Sequence, residues 1–185
     1  MRDLRKLIAG AVTAAVLASA GIFISPSTEQ YVKQTEKLEL TPYRDYAGIW
    51  TDGWGNTKGV VPGRTITLEK AQADFEQHMR GFIADVFIAT APAPLYQGQL
   101  DAYVSLTYNI GGPAFRSSAA AAAHRAGDFP AACLHILRFD KARNAKTKKL
   151  EVLRGLALRR YAEYNTCIAG TPAQYWNTSR DRIRP

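Results

Sequence analysis

A short stretch rich in glycine and aromatic residues interrupts a helical pattern, and it limits the folds open to this chain. Between residues 43 and 61, four glycines alternate with tyrosine, tryptophan and isoleucine, at Gly48, Gly53, Gly55 and Gly59. This texture predicts short strands joined by tight turns, and therefore a small antiparallel sheet. The segments on either side carry apolar residues at helical spacing. The chain is predicted to be α+β, with one small sheet among helices.

Six helices are predicted from apolar spacing and from residues that favour helix ends. The first begins at a Ser27 or Thr28 cap and ends before Pro42. The others are assigned to residues 67–87, 100–111, 118–126, 130–139 and 150–166, with boundaries approximate to a few residues. The length of 185 residues suits one globular domain. We assign that domain to residues 27–170, preceded by an apolar segment at 1–26 and followed by an irregular tail at 171–185.

The N-terminal segment predicts export from the cytoplasm. Arg2, Arg5 and Lys6 precede an uncharged run from Leu7 to Ile24. Two interpretations stay open: an uncleaved membrane anchor, because the run can just span a thin bilayer, or a signal peptide cleaved after residues 18–20, which are small. In the first case the segment would tether the protein to a membrane.

The charge balance favours an anionic polymer or surface as partner. Lys and Arg number 24 against 16 Asp and Glu, which gives a formal charge of +8. The basic residues are scattered except between Lys141 and Lys149, which we predict to be a solvated loop. Nucleic-acid binding would require a basic stripe interleaved with aromatics on one face, so no nucleic-acid partner is expected.

The two cysteines, Cys133 and Cys167, are most naturally a disulfide in an exported chain. Two buried free thiols are the alternative. A zinc site would need further ligands, and none of the three histidines stands at ligand spacing from the cysteines, so no metal is predicted.

Glu36 and Asp45 are candidates for a catalytic carboxyl pair. Cleavage of a glycosidic bond needs one carboxyl group as proton donor and a second that activates water or attacks the sugar. Glu36 lies near a predicted helix end and Asp45 in the following hairpin, so a reversal at Thr41-Pro42 can bring them together. The Thr51 hydroxyl could hold the attacking water. On spacing alone, two solvated surface carboxylates are the competing interpretation.

Three motifs resemble the phage lysozymes of glycoside hydrolase family 24. The first joins Glu36, Asp45 and Thr51 with the Gly-Trp-Gly-Asn-Thr turn at residues 53–57. The second is Tyr-Asn-Ile-Gly at 108–111. The third is Gly-Leu-x-x-Arg-Arg-x-x-Glu at 155–163. The N-terminal run is similar to the signal-arrest-release anchor of the endolysins of lambdoid phages.

The resemblance implies a lysozyme-like fold, with a mainly helical lobe, a small antiparallel sheet lobe and the active-site cleft between them. It implies an endolysin (muramidase) that cuts the β-1,4 bond between N-acetylmuramic acid and N-acetylglucosamine and lyses the host cell at phage release. Glu36 would be the general acid, Asp45 the second carboxylate and Thr51 the residue that positions water. Tyr108 and Asn109 would contact the glycan strand.

The same resemblance implies no cofactor, a monomer, and export to the host periplasm with initial tethering to the inner membrane. Two residues depart from the family pattern: Lys37 replaces the glycine usual after the catalytic Glu, and Asn56 replaces the histidine usual in the turn. The competing functions are a lytic transglycosylase, which would need Glu36 alone, and a non-catalytic wall-binding protein.

Overall fold

The computed structural model describes residues 22–45, 48–143 and 147–175. These residues form two compact units, one comprising Ser25–Gly81 and the other continuing from Phe82. Most of the predicted N-terminal segment, including the apolar run up to residue 21 and the possible cleavage site, lies outside the described residues. Among the residues that are described, no helix combines the length and apolar character needed to cross a bilayer.

The described residues confirm the predicted α+β class, with helices predominating over two small two-stranded antiparallel sheets. In chain order the first unit contains helix α1 (Pro26–Glu36), strands β1 (Glu39–Arg44) and β2 (Trp50–Gly53), and the start of helix α2 (Leu68–Thr90). The second unit contains the rest of α2 and the following elements: α3 (Gln97–Ile110), α4 (Gly112–Arg116), α5 (Ala119–Arg125), α6 (Phe129–His135), a 3-10 turn (Ile136–Phe139), β3 (Lys141–Arg143), β4 (Leu150–Val152), α7 (Arg154–Ala169) and a second 3-10 turn (Ala173–Tyr175).

Helix α1 begins at a different cap from the one predicted. Ser25, rather than Ser27 or Thr28, is the N-cap, and its hydroxyl accepts a hydrogen bond from the Thr28 backbone nitrogen at 3.4 Å. Pro26 then occupies the first helical turn, where its missing N–H costs nothing. The helix ends at Glu36, as expected before Pro42.

The core of the first unit lies between α1 and α2. Val32 from α1 and Ala71, Phe75 and Met79 from α2 are buried there. Strand β2 approaches α2 closely, because a β-carbon placed on Gly53 would lie 3.5 Å from the Ala71 β-carbon. The sheet is thereby held against the helix that follows it.

The core of the second unit is built around α3, which is buried continuously from Gln99 to Thr107. Helix α7 packs along it, and the two backbones nearly touch where Gly98 meets Gly170. A β-carbon on Gly98 would lie only 2.5 Å from the Thr166 carbonyl oxygen, so glycine is required at this crossing. A disulfide between Cys133 and Cys167 joins α6 to α7, which confirms the predicted pair.

One part of the second unit differs from the sequence-based expectations. The predicted solvated loop at 141–149 is wrong at its start, because Lys141–Arg143 pairs with Leu150–Val152 as an antiparallel hairpin. The last helix accordingly begins at Arg154 and not near 150. The predicted irregular tail begins at Thr171, whose buried hydroxyl accepts a 2.9 Å hydrogen bond from the Gln99 side chain on α3. Residues 176–185 of the tail lie outside the described part of the chain.

Candidate active site

Glu36 is the last residue of α1, and the backbone turns sharply immediately after it. Lys37 has φ 57° and ψ 155°, a conformation that is populated almost only by glycine. This position is the one where the family usually has glycine, so the departure noted in the sequence falls on a strained residue. Glu36 itself is half-buried, and its carboxylate lies beside Gly55: a β-carbon on Gly55 would be 3.8 Å from Glu36 Oε2.

Asp45 lies at the end of β1 and closes the connection to β2. Its Oδ1 accepts a 2.8 Å hydrogen bond from the Ile49 backbone nitrogen. Its own backbone nitrogen donates to the Ile49 carbonyl at 2.9 Å. These bonds fix the Asp45 carboxylate at the end of the hairpin.

Thr51 lies on β2 and is 3% exposed. Its hydroxyl donates a 3.2 Å hydrogen bond to the Ile49 carbonyl, so its oxygen keeps lone pairs that can accept from water. Across the hairpin, Thr51 pairs with Tyr43. The structure therefore places Thr51 and the Asp45 end of β1 on the same small hairpin.

Tyr43 lies near both predicted catalytic carboxylates, Glu36 and Asp45, and their negative charges affect its pKa. The pKa of Tyr43 is raised above its ordinary value, first by partial burial and then by the negative charge of nearby carboxylates. Those carboxylates are Glu39, Asp45 and Glu36. Both candidate catalytic groups thus lie close enough to act on one phenol. The sequence analysis did not single out Tyr43, although Tyr43 lies two residues before Asp45 in the chain.

The turn between residues 52 and 58 lies beside Glu36, because it carries Gly55. Trp54 stacks edge-on against Phe75 with ring centroids 5.6 Å apart, and the Lys33 ammonium lies 5.0 Å from the Trp54 ring centroid. Trp50 is covered by the Arg44 guanidinium at 4.8 Å. Both tryptophans therefore make packing contacts within the first unit.

Lys33, one turn before Glu36 on α1, connects this helix to α2. Its ammonium donates to Glu29 Oε1 at 2.7 Å and to Gln72 Oε1 at 2.8 Å, which ties α1 to α2. The same ammonium lies 4.8 Å from the Phe75 ring centroid. Partial desolvation over two aromatic faces strengthens such cation–π contacts. The helix that ends at Glu36 is therefore held firmly.

Tyr108 and Asn109 lie in the second unit, near the end of α3. Tyr108 packs against Phe82, with ring centroids 5.3 Å apart. Asn109 is exposed, but its Oδ1 accepts a 3.0 Å hydrogen bond from Arg160. Their role as glycan contacts remains a prediction.

The Arg-Arg-x-x-Glu motif of α7 forms a buried ion cluster. Arg160 is fully buried, and its Nε lies 2.7 Å from Glu163 Oε2. Arg159 lies 3.3 Å from Glu163 Oε1, and Ser105 donates a 2.7 Å hydrogen bond to the same oxygen. Burial raises the pKa of Glu163, while Arg160, Ser105 and Arg159 act in the opposite direction. The motif therefore joins α7 to α3, and through Asn109 it reaches the end of α3.

The described part of the chain shows no candidate metal-binding site. No group of three or more His, Cys, Asp or Glu side chains is placed there to hold an ion. The arrangement around Glu36 instead offers carboxyl groups, a buried threonine hydroxyl and a phenol, which together suit proton transfer and the handling of one water molecule.

Comparison with known proteins gives a consistent result. The phage lysozyme family model matches residues 33–163, a span that includes all five predicted site residues. An endolysin of Acyrthosiphon pisum secondary endosymbiont phage 1 is 35% identical over 133 residues, covering 71% of this chain and 88% of that protein. A SAR-endolysin of Enterobacteria phage PA-2 is 30% identical over 177 residues, covering 91% of this chain and 97% of that protein. Among solved structures, the muramidase domain of SpmX from Asticaccaulis excentricus superposes with a TM-score of 0.71 at 28% identity, covering 80% of this chain and 98% of that one.

Proposed function

The chain belongs to the phage lysozyme family, and from this premise we propose that Glu36, Asp45 and Thr51 carry out its chemistry. The protein is an endolysin: a glycoside hydrolase that acts as a muramidase on host peptidoglycan. The bond cut is the β-1,4 linkage between N-acetylmuramic acid and N-acetylglucosamine. Two geometric observations support the residue assignment: Asp45 closes the hairpin that carries Thr51, and the Glu36 carboxylate lies beside Gly55 in the turn that follows this hairpin.

Each residue has a role that its environment supports. Glu36, half-buried at the end of α1, protonates the glycosidic oxygen as the bond breaks. Asp45, held by Ile49, activates water or stabilises the positive charge that develops on the sugar. Thr51 accepts a hydrogen bond from that water while its proton is committed to the Ile49 carbonyl. Tyr43 stays protonated at neutral pH, since its pKa is raised.

The decisive experiment compares the full-length protein, released from the membrane into aqueous buffer, with carboxamide variants on purified peptidoglycan. Glu36→Gln and Asp45→Asn are each expected to lose about a hundredfold or more in kcat. Glu39→Gln is the matched control, because Glu39 also acts on Tyr43 but is exposed and has no assigned role. Full activity in Glu36→Gln, or equal losses in all three variants, would refute the assignment.

Product analysis separates the muramidase from a lytic transglycosylase. Hydrolysis consumes water and leaves reducing muramic acid ends, whereas the transglycosylase leaves anhydro ends and would not need Asp45 or Thr51. We expect reducing ends alone. Release of anhydro ends by the parent, with normal turnover in Asp45→Asn, would identify the transglycosylase.

For the remaining organisation we propose an N-terminal signal anchor at 1–26, a catalytic domain at 27–170 and a tail at 171–185. Two observations support the anchor: the basic flank with its apolar run, and the similarity to the SAR-endolysin of phage PA-2 across 91% of the chain. The protein would be exported to the periplasm as a monomer, tethered to the inner membrane and inactive until the segment leaves the bilayer. Full muramidase activity of the membrane-embedded form would contradict this regulation.

A further inference from the structure

The β3–β4 hairpin carries cationic and apolar side chains on one face. In the antiparallel register Lys141 pairs with Val152, and Arg143 pairs with Leu150. Directly paired residues point to the same side of a two-stranded sheet, and residues two apart on a strand do so as well. These four residues, which we call the hairpin patch, therefore share one face, and Glu151 points to the other.

The apolar members of the hairpin patch are unusually exposed. Leu150 is 63% exposed and Val152 is 58% exposed, although each stands beside a cation. The opposite face carries the only acidic residue of the two strands, and Thr147 donates a 3.2 Å hydrogen bond to that Glu151 carboxylate. The patch itself thus combines positive charge and apolar surface without a carboxylate.

Helix α7, which follows the hairpin directly, also carries exposed apolar side chains together with a cation. Arg154, Leu158 and Tyr161 stand at i, i+4 and i+7, which places them on one stripe of the helix. Leu158 is 61% exposed and Tyr161 is also exposed. The hairpin is fixed to the start of this helix, because the Leu153 backbone nitrogen donates a 3.0 Å hydrogen bond to the Asp140 carbonyl.

The local charge is strongly positive. Residues 140–154 carry six lysines and arginines against two carboxylates. Cations next to an anionic surface gain electrostatic attraction, and apolar side chains beside them gain free energy when they enter the boundary between headgroups and acyl chains. Two like-charged copies of this segment would repel each other, which argues against a dimer interface.

We propose that the hairpin patch and the adjoining α7 stripe form a docking surface for an anionic phospholipid membrane. A glycan-binding surface would instead be expected to show polar side chains with stacking aromatics, and the patch offers aliphatic side chains between cations. The surface lies on β3, β4 and α7, away in sequence from Glu36, Asp45 and Thr51. It gives the protein a contact with the membrane surface that does not depend on the N-terminal segment.

The test is hydrogen exchange of the full-length protein, followed by mass spectrometry at residues 139–162. Exchange is measured with vesicles of phosphatidylethanolamine containing phosphatidylglycerol, and with vesicles of neutral phosphatidylcholine. The N-terminal apolar run is expected to enter both, so the protein is membrane-bound in both arms and only the hairpin reports the difference. We expect about tenfold slower exchange at the hairpin with anionic vesicles, and less than about twofold with neutral ones.

Two double charge-reversal variants distinguish the effect of the hairpin patch on hydrogen exchange from the effect of the protein's net charge. Lys141→Glu with Arg143→Glu should abolish the hairpin protection, while Arg64→Glu with Arg80→Glu, on exposed residues of the first unit, makes the same change in net charge and should preserve it. Muramidase turnover on soluble peptidoglycan fragments should be unchanged in both, which keeps this test independent of the catalytic assignment. Equal protection by both vesicle types, equal loss in both variants, or protection by peptidoglycan but not by vesicles would each overturn the proposal.

Discussion

Asn56 donates a 2.8 Å hydrogen bond from Nδ2 to Asp52 Oδ1, and both residues are buried. Their backbones are also paired, with N···O distances of 2.9 and 2.8 Å. Asn56 further donates to the Lys58 carbonyl at 3.1 Å and accepts from the Lys58 nitrogen at 3.0 Å. These bonds fix the turn that presents Gly55 beside Glu36. The residue that departs from the family's histidine therefore holds a wall of the candidate site.

Asn56→Ala is expected to lower both stability and turnover. It leaves the Asp52 carboxylate without this donor in a buried position, which costs about 1–3 kcal/mol of unfolding free energy. Because the turn beside Glu36 loosens, we expect kcat to fall about tenfold with KM nearly unchanged, a transition-state effect. Urea unfolding and peptidoglycan kinetics measure the two effects. Gln77→Ala, at an exposed position of α2, is the control, and an unchanged kcat in folded Asn56→Ala would show that the turn has only a structural role.

Lys37→Gly is expected to stabilise the protein. The lysine occupies φ 57° and ψ 155°, at a cost of about 1–3 kcal/mol, whereas glycine adopts this conformation freely. Glycine also makes the unfolded chain more flexible, which offsets about 0.4–1 kcal/mol, so the expected net gain is about 1 kcal/mol. Chemical denaturation tests this. Lys37→Ala removes the same charge but keeps the strain, and a comparable gain in that variant would assign the effect to charge instead.

Arg160→Met is expected to destabilise the protein by about 3–5 kcal/mol, because it leaves Glu163 buried with its main partner gone. Methionine retains most of the apolar stem, so the loss reports the charge and its hydrogen bonds. Urea unfolding should show the effect, and Arg138→Met at an exposed position should change stability by less than about 0.5 kcal/mol. Near-equal stabilities of the two variants would mean that the buried cluster contributes little.

Acid is expected to destabilise the protein through His124. Burial lowers the pKa of His124 to about 4, so the folded protein keeps it neutral where the unfolded chain would bind a proton. The stability present above pH about 6.5 is therefore lost progressively as pH falls toward about 4, by about 3 kcal/mol in total. Unfolding free energies measured across this range test the sign. In His124→Gln the unfolding free energy should depend less steeply on pH, and an identical slope would mean that another group is responsible. His78, whose pKa is also lowered by burial, is present in both proteins and therefore does not contribute to the difference between them.

Several elements were predictable because their signals are local. Helix α3 carries apolar residues at helical spacing and ends before Gly111, and Cys133 and Cys167 were the only candidates for a disulfide. Helix α4 was missed because the run Gly111-Gly112-Pro113 is typical of a helix end, although proline also suits a first helical turn. The β3–β4 hairpin was missed because strands of three residues are too short for their alternating pattern to stand out from the surrounding sequence.

The sequence by itself determined the α+β class, the cysteine pair and the spacing of Glu36, Asp45 and Thr51, since each depends on neighbouring residues or on residue counts. Only the tertiary structure decided that Arg160 is fully buried, because the partners that make burial of its charge tolerable, Glu163 and Asn109, come from two helices. It also decided that Asn56 clamps Asp52 and that Lys37 is strained. Whether a charge or a polar group is buried depends on the distant segments that pack over it, and local sequence patterns carry no record of that packing.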